Sequence, residues 1–486
     1  MAVMAPTANG GIAAGGPRDT TLYGWIVFAL SFGLLISDYM ARQVLNAVFP
    51  LLKAEWALSD AELGLLSGVV ALMVGLLTFP LSLAADRWGR VRSLAIMAAL
   101  WSVATLFCAM AASYQQMLVG RIMVGVGEAA YGSVGIAVVI SVFPQRLRAT
   151  LSAAFMAGGL FGQVLGVAIG GEIAASHGWR AAFAVIGLGG LLLAVAYPLV
   201  VREKRIAEIA GSTARTADTS EPAPRTSLRA LFANRSVRLA YCASGVQLFA
   251  AGALPAWLPS YFNRYYAMPV DAAGRMAALF LLICGCGMVI CGMASDRAAQ
   301  GRPDRKILLA SGYGFGSAIA LTVALMLPPG LPQLVLLGIA MFFVAGTTGP
   351  AGAMVANLTP AALHGSAFAT LTLAHNLLGL APGPILTGRL ADTIGLLDAL
   401  RFLPIAAVIA ALLFLAARRS YLADLKTVAS QPSEPASCHH SLRAPLPRRR
   451  ALPSRSSSPR PRPSSPSIMT RRSCSTPCCS AWRSTS

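Results

Sequence analysis

The sequence predicts an all-α membrane protein with twelve transmembrane helices in two pseudo-symmetric six-helix bundles. Three observations indicate this fold class. Of the 486 residues, 56% are hydrophobic and only 12% are charged, which is about half of the roughly 25% charge that soluble domains carry. The hydrophobic residues form twelve runs that are each long enough to cross a bilayer as a helix. The last six runs repeat features of the first six.

The predicted spans are separated by polar segments. The first span is not preceded by the pattern of a cleaved secretory signal, so we expect it to remain in the membrane. The predicted spans are roughly 22–50, 62–84, 92–113, 115–142, 149–174, 180–201, 238–263, 274–294, 307–328, 331–356, 365–388 and 396–418. They divide the chain into an N-terminal segment (1–21), a first bundle (22–201), a linker (202–236), a second bundle (237–420) and a tail (421–486).

The distribution of basic residues predicts the orientation. Arginines and lysines are frequent in the segments after even-numbered spans and sparse after odd-numbered spans. Because cytoplasmic loops carry an excess of Lys and Arg, we expect the even-numbered segments and both termini to be cytoplasmic, in the inner (plasma) membrane. The even-numbered segments contain Arg87, Arg90, Arg92, Arg146, Arg148, Arg297, Arg302, Arg305, Lys306 and eight further bases between residues 202 and 238.

The tail is rich in Ser, Pro and Arg and is predicted to be disordered, because such a composition cannot bury a core. Its arginine runs resemble a GC-rich reading frame translated out of phase, which predicts a frameshift near the end. From Ala429 onward ten arginines face one acid, so the tail supplies +9 of the net charge of +20. The charge therefore predicts no nucleic-acid partner. The cysteines show no zinc-site spacing, and we expect no metal and no cofactor.

The two halves of the sequence resemble each other at several places. Asp86–Arg87 follows span 2 and Asp296–Arg297 follows span 8, an offset of 210 residues. The segments 171–183 and 388–400 match at an offset of 217. Parallel repeats of this kind place a binding site between the halves, near the bilayer midplane.

Four ionisable residues lie inside predicted spans of the first half: Asp38, Arg42, Arg121 and Glu128. A charge at the centre of a span costs about 2.5–3.5 kcal/mol, so such residues usually face a cavity. Asp38 and Arg42 share a helix face, as do Arg121 and Glu128. Glu128 and Asp38 are candidate proton carriers; the alternative is a static ion pair between helices. Arg42 and Arg121 are candidates for binding an anionic substrate, since guanidinium groups suit carboxylates and phosphates.

The second half is nearly free of such charges. Its polar candidates for substrate binding are Gln247, His375 and Asn376, and for His375 the alternative is a packed, hydrogen-bonded histidine. Trp257 and Tyr261, near one end of span 7, are predicted to be interfacial anchors.

The segments after spans 2 and 8 read SLAADRWGRVR and GMASDRAAQGR. They resemble the signature of the major facilitator superfamily, with Ser82 where the family has glycine. In that family the loop aspartate is thought to face the amino end of a helix from the other half and to close the cytoplasmic side. The resemblance implies gate residues, which are Asp86, Arg87, Gly89, Arg90, Asp296 and Arg297.

Span 4 contains GVGEA followed by Tyr131, and in this detail the first half resembles the spinster-type branch. The resemblance adds Tyr131 to the substrate-binding candidates. Two residues depart from related patterns. Ala41 stands where the branch has aspartate beside Arg42, and Val167 stands where drug antiporters have a proline in span 5.

The resemblance implies a secondary transporter. We expect proton-coupled symport of a small organic anion or amphipathic solute by a monomer in contact with membrane lipid. The alternatives are a drug or lipid exporter working by proton antiport, and a membrane sensor that does not transport. The sequence shows no nucleotide-binding loop and no nucleophile–base pair, so we do not expect an enzyme.

Overall fold

The computed structural model describes residues 17–214, 231–300, 302–360 and 363–430. Within these ranges the regular secondary structure is helical, with no β-strand. Residues 215–230 of the predicted linker and 431–486 of the predicted tail lie outside the described residues. The predicted spans can be compared with the structure in both bundles, apart from residues 301 and 361–362 in the second.

The first half consists of eight helices, followed by a ninth in the linker. Spans 1, 2, 3, 5 and 6 are single helices, whereas span 4 is interrupted at residues 129–130, directly after Glu128. The helices are α1 (Pro17–Ala47), α2 (Phe49–Trp56), α3 (Asp60–Trp88), α4 (Arg90–Ala109), α5 (Tyr114–Glu128), α6 (Tyr131–Val142), α7 (Gln145–His177), α8 (Trp179–Val200) and α9 (Glu203–Ala214).

The second half follows the same plan. Span 10 is interrupted at residues 345–347, the counterpart of the break in span 4, and span 11 contains a π-helical turn, Asn376–Leu380. The helices are α10 (Arg235–Tyr265), α11 (Val270–Ala298), α12 (Asp304–Met326), α13 (Leu331–Val344), α14 (Thr348–Leu358), α15 (His364–His375), α16 (Pro382–Ile394), α17 (Leu396–Leu400) and α18 (Leu403–Ser430).

The described residues contain eleven helical stretches that are long and apolar enough to cross a membrane. The twelfth span consists of α15, the π-helical turn and α16 taken together. The turn divides what would otherwise be one long transmembrane helix into two shorter helices. The predicted fold class, twelve transmembrane helices in two bundles, is confirmed.

The most extensive contacts between the two halves are made by two helix pairs, α3 with α16 and α7 with α11. Inside a membrane no hydrophobic effect drives helices together, so their association depends on small residues that let the two backbones approach closely. A Cβ atom at Gly64 would collide with the carbonyl oxygen of Pro384, and one at Gly68 with that of Ala381. Glycine at these two positions of α3 is therefore required for contact between the halves.

We call the end of the molecule with the turns after odd-numbered spans the odd-loop face, and the opposite end the even-loop face. The odd-loop face includes the turns at 57–59, 266–269 and 395. The even-loop face includes Gly89, Pro144 and the linker helix α9.

Two sequence predictions differ from the structure. Helix α18 continues to Ser430, ten residues beyond the predicted boundary, because Tyr421 is buried in the second bundle and hydrogen-bonds Asn357. Trp257 and Tyr261 are not interfacial anchors: both are buried, and they hydrogen-bond the carbonyl of Pro384 and the side chain of Gln333. Their position near a span end suggested an interface, but they face neighbouring helices and not lipid.

Candidate functional site

An ion pair between α1 and α5 lies at the centre of the first half. The Nη2 and Nε atoms of Arg42 donate to Oε2 of Glu128 at 2.7 and 3.0 Å. The side chain of Glu128 is 0% exposed and that of Arg42 is 19% exposed. A buried ion pair of this kind is costly unless both partners are well bonded. The second carboxylate oxygen, Oε1, has no hydrogen-bond partner among the described residues.

Asp38 adds a second carboxyl group to this pair. It is buried one turn before Arg42 and interacts electrostatically with both Arg42 and Glu128. Its Oδ1 atom lacks a hydrogen-bond partner within the described part of the chain. Two carboxyl groups therefore adjoin one guanidinium group, and the structure brings together three of the four predicted charged residues.

Arg121 has a different environment. Its side chain is fully buried, and it donates to the carbonyl oxygens of Leu66 at 3.3 Å, Ala41 at 2.9 Å and Arg42 at 3.0 Å. Although it shares a helix face with Glu128, Arg121 forms no ion pair with it, because the guanidinium group turns toward these backbone carbonyls. In this conformation Arg121 joins α1 to α3 and holds the backbone that carries Arg42.

A row of uncharged polar side chains continues from Arg42 along the first half. Asn46 donates to Gln43 at 2.6 Å, Ser67 donates to Asn46 at 3.0 Å, and Gln43 donates to Gln163 at 3.4 Å. None of these four residues was predicted from the sequence. The only signal for them is the spacing of Gln43 and Asn46, three residues apart on one helix face and directly after Arg42.

A cavity of about 180 Å³ lies between the halves, beside this row. Its first-half wall is polar and includes Arg42, the amide side chains and Tyr39. Its second-half wall is formed by residues of α10, α16 and the π-helical turn, which are Ala251, Gly252, Pro255, Leu380 and Pro384. Within the described ranges Arg42 is the only charged side chain that lines it.

The other predicted substrate-binding residues do not line this cavity in the present conformation. Gln247 donates to the carbonyl of Val344 at 3.0 Å, Asn376 donates to that of Thr372 at 2.9 Å, and Tyr131 donates to that of Ser31 at 2.7 Å. His375 lies 2.7 Å from the hydroxyl of Ser244. The Gln247 Oε1 and Asn376 Oδ1 atoms are buried and lack partners among the residues that the structure describes.

The predicted gate residues lie at the even-loop face. Gly89 joins α3 to α4 with φ of 93°, a backbone conformation that favours glycine. Glu203 of α9 accepts from the backbone N–H groups of Arg90 at 3.1 Å and Val91 at 2.8 Å, which caps α4.

Among the remaining gate residues, Arg87 and Arg297 are exposed. Asp296 forms an ion pair with Lys306 at 2.7 Å within the second half. The side chain of Asp86 lies outside the described residues.

A family model, described as Major Facilitator Superfamily, matches residues 30–384. The chain belongs to the Major Facilitator Superfamily. Like other members of this superfamily it is a membrane transport protein, and the resemblance inferred from the sequence is confirmed.

Individual relatives agree with this assignment. The chain is 28% identical over 335 residues to a probable L-galactonate transporter of Escherichia coli K12, covering 66% of this chain and 73% of the relative. It is 24% identical to a hexuronate transporter of Bacillus subtilis, covering 76% and 88%. A solved bacterial homologue of the human lysosomal transporter spinster has the same fold, with a TM-score of 0.71 and 21% identity over 85% of this chain and 99% of that structure.

Proposed function

We propose that this protein is a secondary active transporter that carries a small organic anion by proton-coupled symport and alternating access. The observation that carries the proposal is the Arg42–Glu128 ion pair beside the cavity between the halves. By the distribution of Lys and Arg, the even-loop face and both termini are cytoplasmic in the plasma membrane. We propose that it works as a monomer surrounded by lipid.

Arg42 supports an anionic substrate. A guanidinium group has five N–H donors in a planar fork, and Arg42 uses two of its nitrogens for Glu128. The Nη1 group is available within the cavity, where a carboxylate of the solute can bind. Asn46 and Gln163 nearby can hydrogen-bond hydroxyl groups. Two relatives are transporters of galactonate and hexuronate by name, and such compounds combine a carboxylate with several hydroxyl groups.

Competition for Arg42 can couple the proton to the solute. If both acids are ionised, their charges are balanced by Arg42 and by Arg121, which also interacts electrostatically with Glu128. A solute carboxylate that binds the Nη1 group of Arg42 adds a negative charge beside Glu128 and competes with it for the guanidinium group. Protonation of Glu128 removes this conflict, so proton binding and anion binding favour each other. We propose Glu128 as the proton carrier and Asp38 as the acid that shares the proton with it.

The predicted gate residues fit the same cycle. We propose that Asp86, Arg87, Gly89 and Arg90, together with Asp296 and Arg297, close the even-loop face in the alternate conformation. Glu203 holds the turn at Gly89 in place by capping α4.

The test is uptake into proteoliposomes with an imposed pH gradient, with radiolabelled galactonate and glucuronate as probes. Glu128→Gln should abolish accumulation against a gradient and retain exchange of labelled for unlabelled solute. Glu208→Gln, the same change on the exposed side of the linker helix, is the matched control and should accumulate solute normally. If Glu128→Gln concentrates solute as the unchanged protein does, Glu128 is not the proton carrier.

A further inference from the structure

A contact between the halves at the odd-loop face involves the first turn of α3 and the last turn of α16. The Asp392 carboxylate, from the second half, accepts from the backbone N–H of Asp60 at 2.7 Å and from that of Ala61 at 2.8 Å. The first N–H groups of a helix have no partner within the helix and carry its positive dipole end. Asp392 therefore caps a helix that belongs to the other half.

The side chain of Asp60 forms a second contact between the halves. Arg264, at the end of α10, donates from Nη1 to Oδ2 at 2.7 Å and from Nη2 to Oδ1 at 2.6 Å. Lys53, from the first half, donates to Oδ1 at 2.5 Å. The two-bond arrangement of arginine and carboxylate is the geometrically specific form of such a pair. Asp60 is buried between bases that come from both halves.

Ion pairs between the halves occur at one face only among the described residues. Asp60–Arg264 and Glu172–Arg275 both lie at the odd-loop face. At the even-loop face the pairs Asp296–Lys306 and Asp304–Arg418 stay within the second half. Among the described residues, the ion pairs that join the two halves therefore lie at the odd-loop face and not at the opposite face.

We propose that Asp392, Asp60 and Arg264 form a latch that keeps the odd-loop face closed, and that it must open for solute to pass this face. The latch rests on the alternating access of the proposed function. It uses one carboxylate at a helix amino end and one arginine–carboxylate pair. Asp392 is exposed and Arg264 is partly exposed, so water can replace their contacts with the buried Asp60 and its helix end when the halves separate.

Hydrogen–deuterium exchange of the purified, full-length protein in lipid nanodiscs, without solute or pH gradient, tests the latch. Asp392→Ala removes the helix cap and Arg264→Gln removes the ion pair. Each should increase exchange by on the order of tenfold, the population shift expected when a hydrogen bond to a charged group is lost. The increase should occur in peptides around Glu172 and Arg275, which lie at the other edge of this face. Peptides around Gly89 should become more protected, because closing one face accompanies opening of the other.

Asp398→Ala is the matched control. It removes an exposed acid from the same face, but its partner Arg401 belongs to the same half, so exchange should not change. If both latch variants increase exchange only in residues 60–63 and 264, or not at all, the contacts are local and the latch is wrong. Exchange measured without solute does not depend on proton coupling. Failure of the Glu128→Gln uptake experiment would therefore leave this result standing.

Discussion

The two halves of this transporter repeat each other in backbone but not in charge. Spans 4 and 10 are interrupted at corresponding places, after Glu128 in the first half and at residues 345–347 in the second. The first half has Asp38, Arg42, Arg121 and Glu128 in its interior. The buried polar groups of the second half, such as Gln247 and Asn376, are uncharged.

In the proposed function this difference separates two tasks. The first half contains the groups proposed to bind the anion and exchange the proton, whereas the second half supplies an apolar wall and the residues that contact the first half at the proposed latch. The helix breaks in spans 4 and 10 therefore belong to the fold that both halves share. The chemistry at each break depends on the side chain next to it.

The largest effect on folding is expected for Arg121→Met. It would remove three hydrogen bonds from a buried charged donor to backbone carbonyls, at about 1.5–3 kcal/mol each. We expect little folded protein, measured as the monodisperse fraction in size-exclusion chromatography. Gln247→Leu in the second half frees a single carbonyl and should lower the melting temperature far less. Equal stability of the two variants would show that the interiors of the halves do not differ as described.

Arg42→Gln should have the next largest effect on stability. It leaves the buried Glu128 carboxylate without its partner, and breaking such a pair costs about 3–5 kcal/mol. The double variant Arg42→Gln/Glu128→Gln removes both charges and should recover much of the melting temperature. Neither variant should bind galactonate in an equilibrium binding assay. Tight galactonate binding by the double variant would mean that the anion site lies elsewhere.

Asn46→Ala should have a moderate effect. It removes the middle of the polar row and two hydrogen bonds, at about 0.5–1.5 kcal/mol each. We expect the KM for galactonate uptake to rise by roughly tenfold, with proton coupling retained. Leu380→Ala on the opposite wall is the comparison, because it removes no polar contact to a hydroxylated solute. A larger KM change for Leu380→Ala would contradict the assignment of recognition to the first half.

The smallest effect concerns a charge at the surface of the first half. Trp179 donates to Glu55 at 2.6 Å and Arg180 pairs with it at 2.8 Å, and these contacts lower the pKa of Glu55. Because the folded-state pKa is below the unfolded one, the stabilisation is present at neutral pH and is lost as the pH falls through the lowered value. Glu55→Gln should reduce the melting temperature at pH 7, and only slightly because the ion pair is exposed to solvent. At strongly acidic pH, where Glu55 is protonated, the substitution should cause no reduction. A reduction that persists in strong acid would show that the Glu55 charge is not responsible.

The sequence was sufficient for the fold and for part of the site. Charges within apolar runs are conspicuous, so Asp38, Arg42 and Glu128 could be identified as a group. Arg42 and Arg121 could not be distinguished, because both are arginines within a span. Only the structure shows that Arg42 lines the cavity and that Arg121 holds backbone carbonyls.

Other features depend on contacts between distant parts of the chain. Gln43 and Gln163 are 120 residues apart, and a single amide in a helix does not indicate which partner it meets. The latch joins residues 204 and 332 positions apart, and in the sequence these acids and bases are ordinary loop charges. Pairing at such separations follows from how the bundles dock, which hydropathy and spacing do not specify.

The π-helical turn at Asn376–Leu380 gives span 11 two mechanically separate parts. A π turn widens the helix and replaces the regular i→i+4 bonding, here with a bond from the Ala381 N–H to the Asn376 carbonyl. Helix α16 beyond it is fixed against α3 at Gly64 and Gly68. While the latch is closed, helix α15 before it can therefore tilt about this point with α16 held against α3, so the even-loop part of span 11 can move independently of its odd-loop part.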